Sequence, residues 1–170
     1  MMNFKPIVTV CAPHPKTKSP LHRSSKMEEQ IRAILKQREA AIKTMDAEFV
    51  CKLYTNNVRT FDLVEPLEHC GCEDVKQRLL QWFSSFKHIN DYFTANIEIT
   101  AGDTVAFCSA MNHVSATLKN GEPISMWWRE TLGFAKHGDD WLINHAHTSV
   151  PFEINKMTAL TTLKPGKIQR

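Results

Sequence analysis

At 170 residues, with 42% apolar and 23% charged side chains and a formal net charge of +3, the chain has the size and composition of one globular domain with a sizeable core. The charge is uneven: residues 1–26 carry five Lys or Arg and no acid, residues 153–170 carry four and one, and the body between them carries 12 and 17, a net of −5. That distribution leaves no basic stripe for nucleic acid, and no apolar run is long enough to span a membrane.

Residues 1–26 hold four prolines (Pro6, Pro13, Pro15, Pro20) and read as a flexible basic arm, with an apolar patch too short for a signal peptide. A cleaved transit peptide fits the missing acids but not the single arginine, Arg23. From Met27 to Met45 the period becomes helical: Met27, Ile31, Ile34, Leu35, Ile42 and Met45 share one stripe without Gly or Pro. Arg38 falls on the same stripe, so its charge must leave the core or find a partner in it. Asp46 reads as the N-cap of a second helix through Tyr54, and Thr55-Asn56-Asn57 breaks it.

Val58 to Val64 reads as a strand containing Asp62, and Glu65 to Gly71 as a loop. Cys72 to Phe86 reads as a third helix, with Val75, Leu79, Trp82, Phe83 and Phe86 at helical spacing. Strands follow over roughly 92–101, 104–118, 123–135 and 141–150, with Gly102-Asp103, Asn120-Gly121 and the polar run Lys136 to Asp140 as turns. Helices first and an antiparallel meander afterwards make an α+β domain over 27–152. Residues 153–170 read as a loose or docking basic tail.

The five cysteines, an odd number without a secretory segment, point to reduced thiols and a cytoplasmic setting. His69 and Cys70-Gly71-Cys72 lack a second ligand pair at zinc-like spacing, so no metal and no cofactor is expected.

The order of elements resembles the nuclear-transport-factor-2-like superfamily. Phe61 to Leu67 (FDLVEPL), Trp82-Phe83, Trp128 to Thr131 (WRET) and Trp141 to Phe152 (WLINHAHTSVPF) resemble its SnoaL-like, ketosteroid-isomerase-like and polyketide-cyclase-like branch. The resemblance implies a cone: three N-terminal helices on a strongly curved, mostly antiparallel sheet, enclosing a largely apolar pocket. It also implies a homodimer through the outer sheet face. The isomerase's general base falls on Asp62, its oxyanion-holding tyrosine on Arg38, and its protonated aspartic acid near Thr131. One of three positions is kept, so steroid isomerisation is not expected.

Asp62 is the first candidate for moving a proton, because a carboxylate in an apolar cavity has its pKa raised. Arg38 points at the same region. A pair between the two either clamps a polar substrate or is purely structural. Arg129, Trp127 and Thr131 share strand parity, and the family's register turns that face inward. There Arg129 would bind a carboxylate or enolate, or else bridge Glu98 or Glu130. The same register turns Asn112, Asn144, Ala146 and Thr148 inward. It places His145 and His147, with Trp141 and Ile143, on the outer, dimer-facing side. Trp82 joins the expected substrate-binding residues. Two functions follow as expectations. One is a cofactor-free acid–base isomerase, cyclase, dehydratase or hydrolase acting on a small apolar or polyketide-like molecule, with Asp62, Arg38 and Arg129 catalytic. The other is a non-catalytic ligand-binding or dimerisation module.

Overall fold

The structure is a computed structural model that describes residues 21–169, with side chains from residue 26 onward. Helix α1 (Leu21–Lys43) begins six residues before the expected start and buries Ile31, Leu35 and Ile42. It ends in a left-handed residue, Met45 (φ 56°), with Asp46 N–H on the Ala41 carbonyl at 2.8 Å and Met45 N–H on that of Ile42 at 3.0 Å. That closure turns the chain straight into α2 (Ala47–Lys52). Asp46 caps α2 as expected, its Oδ1 accepting from Phe49 N–H at 2.9 Å. The second helix stops sooner than the reading had it: Tyr54 opens strand β1 (Tyr54–Phe61), and Asp62 lies just past that strand's end. A short β2 (His69–Cys70) leads into α3 (Cys72–Phe83).

Four long strands follow: β3 (Phe86–Ala101), β4 (Val105–Leu118), β5 (Pro123–His137) and β6 (Asp140–Ser149). The six-stranded sheet has the order β2-β1-β6-β5-β4-β3, antiparallel throughout except for β1 against β6. Three register shifts in β3 bend this sheet around the helices. The result is the α+β cone, with α1 lying on β3 and α3 against β1. Among the described residues no helix is long and apolar enough to cross a membrane.

Two features correct the parity read from sequence. In β5 the alternation turns Ile124, Met126, Trp128, Glu130, Leu132 and Phe134 toward the helices, and leaves Trp127, Arg129 and Thr131 on the outer face. Arg129 and Thr131 are exposed there, while Trp127 packs with Phe93, Ala95 and Met111. The two adjacent tryptophans explain the error, since either can anchor a buried face. In β6 the ladder steps from Gly133 opposite His145 to Phe134 opposite Ile143, leaving Asn144 as an extra, exposed residue. This bulge lets Trp141 and Ile143 point inward together with Ala146 and Thr148, while His145 and His147 face outward. Gly133 permits it: a Cβ there would meet Asn144 Oδ1 at 3.0 Å.

Cys51 on α2 and Cys72 at the start of α3 form a disulfide with Cα atoms 5.7 Å apart, which corrects the expectation of reduced thiols for this pair. Cys70 and Cys108 are free thiols; Cys11 and the rest of the basic arm before residue 21 lie outside the described residues. The tail forms a small hairpin, β7 (Phe152–Glu153) with β8 (Thr158–Ala159), and then docks on the sheet's edge strand. Asn96, in the left-handed conformation at the β3 bulge, donates its N–H to the Gln169 carbonyl at 2.7 Å. Its side chain donates to the Lys167 carbonyl at 2.8 Å and accepts from Gln169 N–H at 2.7 Å.

Candidate active site in the cone

Between the helices and the inner sheet face lies a cavity of about 150 Å³. Its walls are mostly apolar: Ile42, Val75, Leu79, Val114, Met126 and Ala146, with Trp82, Tyr92 and Trp128 as an aromatic side. The three ring centroids of that side are 5.9 to 6.5 Å apart. Apolar walls with few polar groups are the usual make-up of a small-molecule site.

The polar groups fall into two clusters. The deeper one is an ion pair. Arg38, from the apolar stripe of α1, donates Nη1 to Glu130 Oε2 at 2.8 Å and Nη2 to Glu130 Oε1 at 2.5 Å. Glu130 on β5 also accepts from Asn112 Nδ2 at 2.7 Å, and Asn112 Oδ1 accepts from Thr94 Oγ1 at 2.9 Å. Both charged side chains are nearly sealed from solvent, at 9% and 1% exposure. Burial opposes the Arg38 charge, but Glu130, together with Tyr54 and Tyr92, more than offsets it and raises the guanidinium pKa. Burial likewise raises the phenol pKa values of Tyr54 and Tyr92, so both stay protonated. Arg38 Nε has no acceptor.

The outer cluster centres on Asp62. Its Oδ2 lies 2.8 Å from Arg78 Nε on α3, with side-chain exposures of 24% and 17%. The contact is ionic and not a hydrogen bond, since Arg78 Nε–H has no acceptor in line. Asp62 Oδ1 accepts from Leu63 N–H at 2.5 Å and from Thr148 Oγ1 at 3.4 Å.

Of the residues singled out from sequence, Asp62, Arg38, Trp82 and Thr148 line this cavity. Arg38 and Asp62 do not pair with each other; each has its own partner. Arg129, Trp127, Thr131 and Asn144 are placed outside it by the strand parity described above. Asn112 faces inward but sits beneath Glu130, so it positions that carboxylate and does not line the cavity. Sequence reading missed Glu130, Arg78, Tyr54, Tyr92 and Trp128. Arg78 left a signal: it falls between Val75 and Trp82 on the apolar stripe of α3, as Arg38 does on α1. Glu130 left only a faint one, as a bridging partner of Arg129, because the phase of the strand expected to face inward is that of Trp127, Arg129 and Thr131. Among the described residues no group of three His, Cys, Asp or Glu is placed to hold a metal ion, and Cys72 is engaged with Cys51.

Residues 31–153 match the family model of the SnoaL-like domain. Among solved structures, an NTF2-like protein of unknown function from Pseudomonas putida KT2440 superposes with a TM-score of 0.75 at 22% identity, covering 84% of this chain and 99% of its own. A scytalone dehydratase candidate from Novosphingobium aromaticivorans gives 0.65 at 12% identity, covering 85% and 92%. A ketosteroid isomerase-like protein from Erwinia carotovora atroseptica gives 0.62 at 18%, covering 71% and 93%. At these identities the likeness establishes the fold alone. No curated protein matches the sequence.

Proposed function

The chain belongs to the SnoaL-like domain family, whose fold hosts many unrelated activities, and within it we propose that the cone is the site of an acid–base reaction on a small, mostly apolar molecule. One observation carries this reading: a partly exposed carboxylate, Asp62, shares a cavity with a buried guanidinium flanked by two protonated phenols. Isomerisation, cyclisation and dehydration next to a carbonyl all begin with removal of a proton from carbon. The electron pair left behind moves onto the carbonyl oxygen. Asp62 takes the proton, and Thr148 with the Leu63 N–H orients its oxygen. Tyr54 and Tyr92 donate to the developing oxyanion, with the Arg38 charge behind them. Return of the proton to a different atom completes an isomerisation, and its transfer to a β-hydroxyl, which leaves as water while the enolate electron pair forms the new double bond, completes a dehydration.

The test is solvent exchange at carbon. A small cyclic ketone incubated with the protein in D2O exchanges its α-hydrogens faster than in buffer, and Asp62→Asn abolishes the excess. Exchange unchanged by that substitution removes Asp62 from the role.

A second reading is a ligand-binding module without chemistry. It is favoured by the close engagement of Asp62 with Arg78, which occupies the carboxylate that would have to take the proton. A ligand that binds in the cone without exchange at any carbon decides for it. We also propose that a second copy covers the outer sheet face, where Phe107 and Val105 are exposed and His145 and His147 point outward. Mass in solution is the measurement: a dimer that persists in Phe107→Glu and His147→Glu rejects this placement.

A further inference from the structure

The charges lining the cone are balanced within the protein. Four lining residues are charged, Arg38, Arg78, Asp62 and Glu130, and they form two pairs. A buried charge without a counterion is strongly disfavoured. An anionic ligand would join two carboxylates while both guanidiniums are already taken. A cationic ligand would face the two guanidiniums in the same way. Hydrogen-bonding demand nevertheless remains. Glu130 takes one N–H from each Nη group of Arg38, and the Nε–H is buried without an acceptor on a residue that lines the cavity. Buried donors of that kind are uncommon unless a ligand or water completes them. Size limits the rest, because about 150 Å³ is the volume of an apolar cavity that accommodates a benzene-sized molecule. The aromatic side of Trp82, Tyr92 and Trp128 suits a flat or compact ring.

From this we infer that the ligand of the cone is an uncharged molecule of about one ring, bearing a carbonyl, ether or hydroxyl oxygen that accepts the Arg38 Nε–H, and that the site rejects carboxylate and ammonium analogues of the same size. The inference rests on the reading that the cone is the ligand site, and it names the substrate class of that site. It also differs from the polyketide-like substrate suggested by family resemblance, since about one ring fills the volume within the walls.

Four probes of matched size test it: 4-methylcyclohexanone, cyclohexanecarboxylate, cyclohexylammonium and methylcyclohexane. Binding to the whole protein is read by calorimetry and by the fluorescence of Trp82 and Trp128. The ketone is expected to bind at least tenfold more tightly than either ion and several-fold more tightly than the hydrocarbon. Ala146→Leu, which fills the cavity, is expected to weaken the ketone at least tenfold. An ion that binds as tightly as the ketone overturns the neutral class. Equal binding of ketone and hydrocarbon overturns the acceptor. No binding by any probe, or ketone binding indifferent to Ala146→Leu, overturns the site. Failure here is separable from failure of the acid–base reading. An anion that binds and undergoes exchange at carbon sinks the ligand class alone, whereas a ketone that binds without exchange sinks the chemistry alone.

Discussion

Arg38 and Glu130 lie 92 positions apart in the chain and meet in a parallel, two-bond ion pair beneath the cavity, with Asn112 as a third donor to the carboxylate. Removing one partner leaves the other charged and buried. Glu130→Ala is therefore expected to cost about 3–5 kcal/mol, and Arg38→Ala a similar amount. The double change Arg38→Met with Glu130→Leu should cost less than either alone, because no charge is stranded. Urea unfolding of the three variants checks this; a Glu130→Ala protein within about 1 kcal/mol of the parent would mean that the pair is hydrated.

Asp62 and Arg78 are the more exposed pair, and solvent screens them. Asp62→Asn is expected to change stability by about 1 kcal/mol or less while lowering α-proton exchange by roughly 100-fold or more. Unfolding curves and exchange rates measured on the same sample separate a positioning defect from a catalytic one.

The Cys51–Cys72 disulfide ties α2 to the start of the helix that carries Arg78 and Trp82, across a sequence separation of 21. Closing a loop of that length stabilises by about 3 kcal/mol. Reduction, or the double change Cys51→Ser with Cys72→Ser, should lose about that much, and Cys70→Ser almost nothing. Peptide-resolved alkylation of the native protein should label the exposed Cys70 and spare Cys108 until unfolding.

Alkaline pH should weaken the fold. Burial, then Glu130, pushes the Cys108 thiol from 9.0 up to about 12, and burial also raises Tyr54 and Tyr92. These groups are neutral when protonated. Above their ordinary values the folded chain holds more protons than the unfolded one, so stability falls as pH rises. The thiol's share is fully present below about pH 9 and is lost by about pH 12, roughly 4 kcal/mol in all. Cys108→Ala should flatten that stretch of the stability–pH curve and leave the phenol part, which starts near 10.0.

The tail is held at the bulge by Asn96. Asn96→Gly keeps the left-handed backbone but removes both side-chain hydrogen bonds to residues 167 and 169. Hydrogen exchange at the Gln169 amide should rise several-fold, with the melting temperature of the domain shifted by only a few degrees. Unchanged protection at Gln169 would mean that the tail is held elsewhere.

Much of the fold was readable in local pattern. The apolar stripe of α1, the Asp46 cap and the three hairpin turns of the meander are each set by residues within a few positions of one another, where helical or alternating spacing is unambiguous. Boundaries went astray where neighbours compete: Tyr54 could extend a helix or open a strand, and Phe86 could end α3 or begin β3. In the site, Asp62 and Arg38 were legible as charges placed among apolar neighbours.

What the sequence determined by itself is that the Arg38 charge on the helix stripe would have to leave the core or be answered within it, and that Asp62 stands near the same region. It could not say by what. Strand alternation has only two phases, and Trp127 and Trp128 fit them equally well; one extra residue at Asn144 then reverses the phase along β6. Only the packed tertiary structure decided that Glu130 faces Arg38 and that Arg78 faces Asp62. The first of these joins segments far apart in sequence, and desolvation makes a wrong partner for either buried charge too costly to keep.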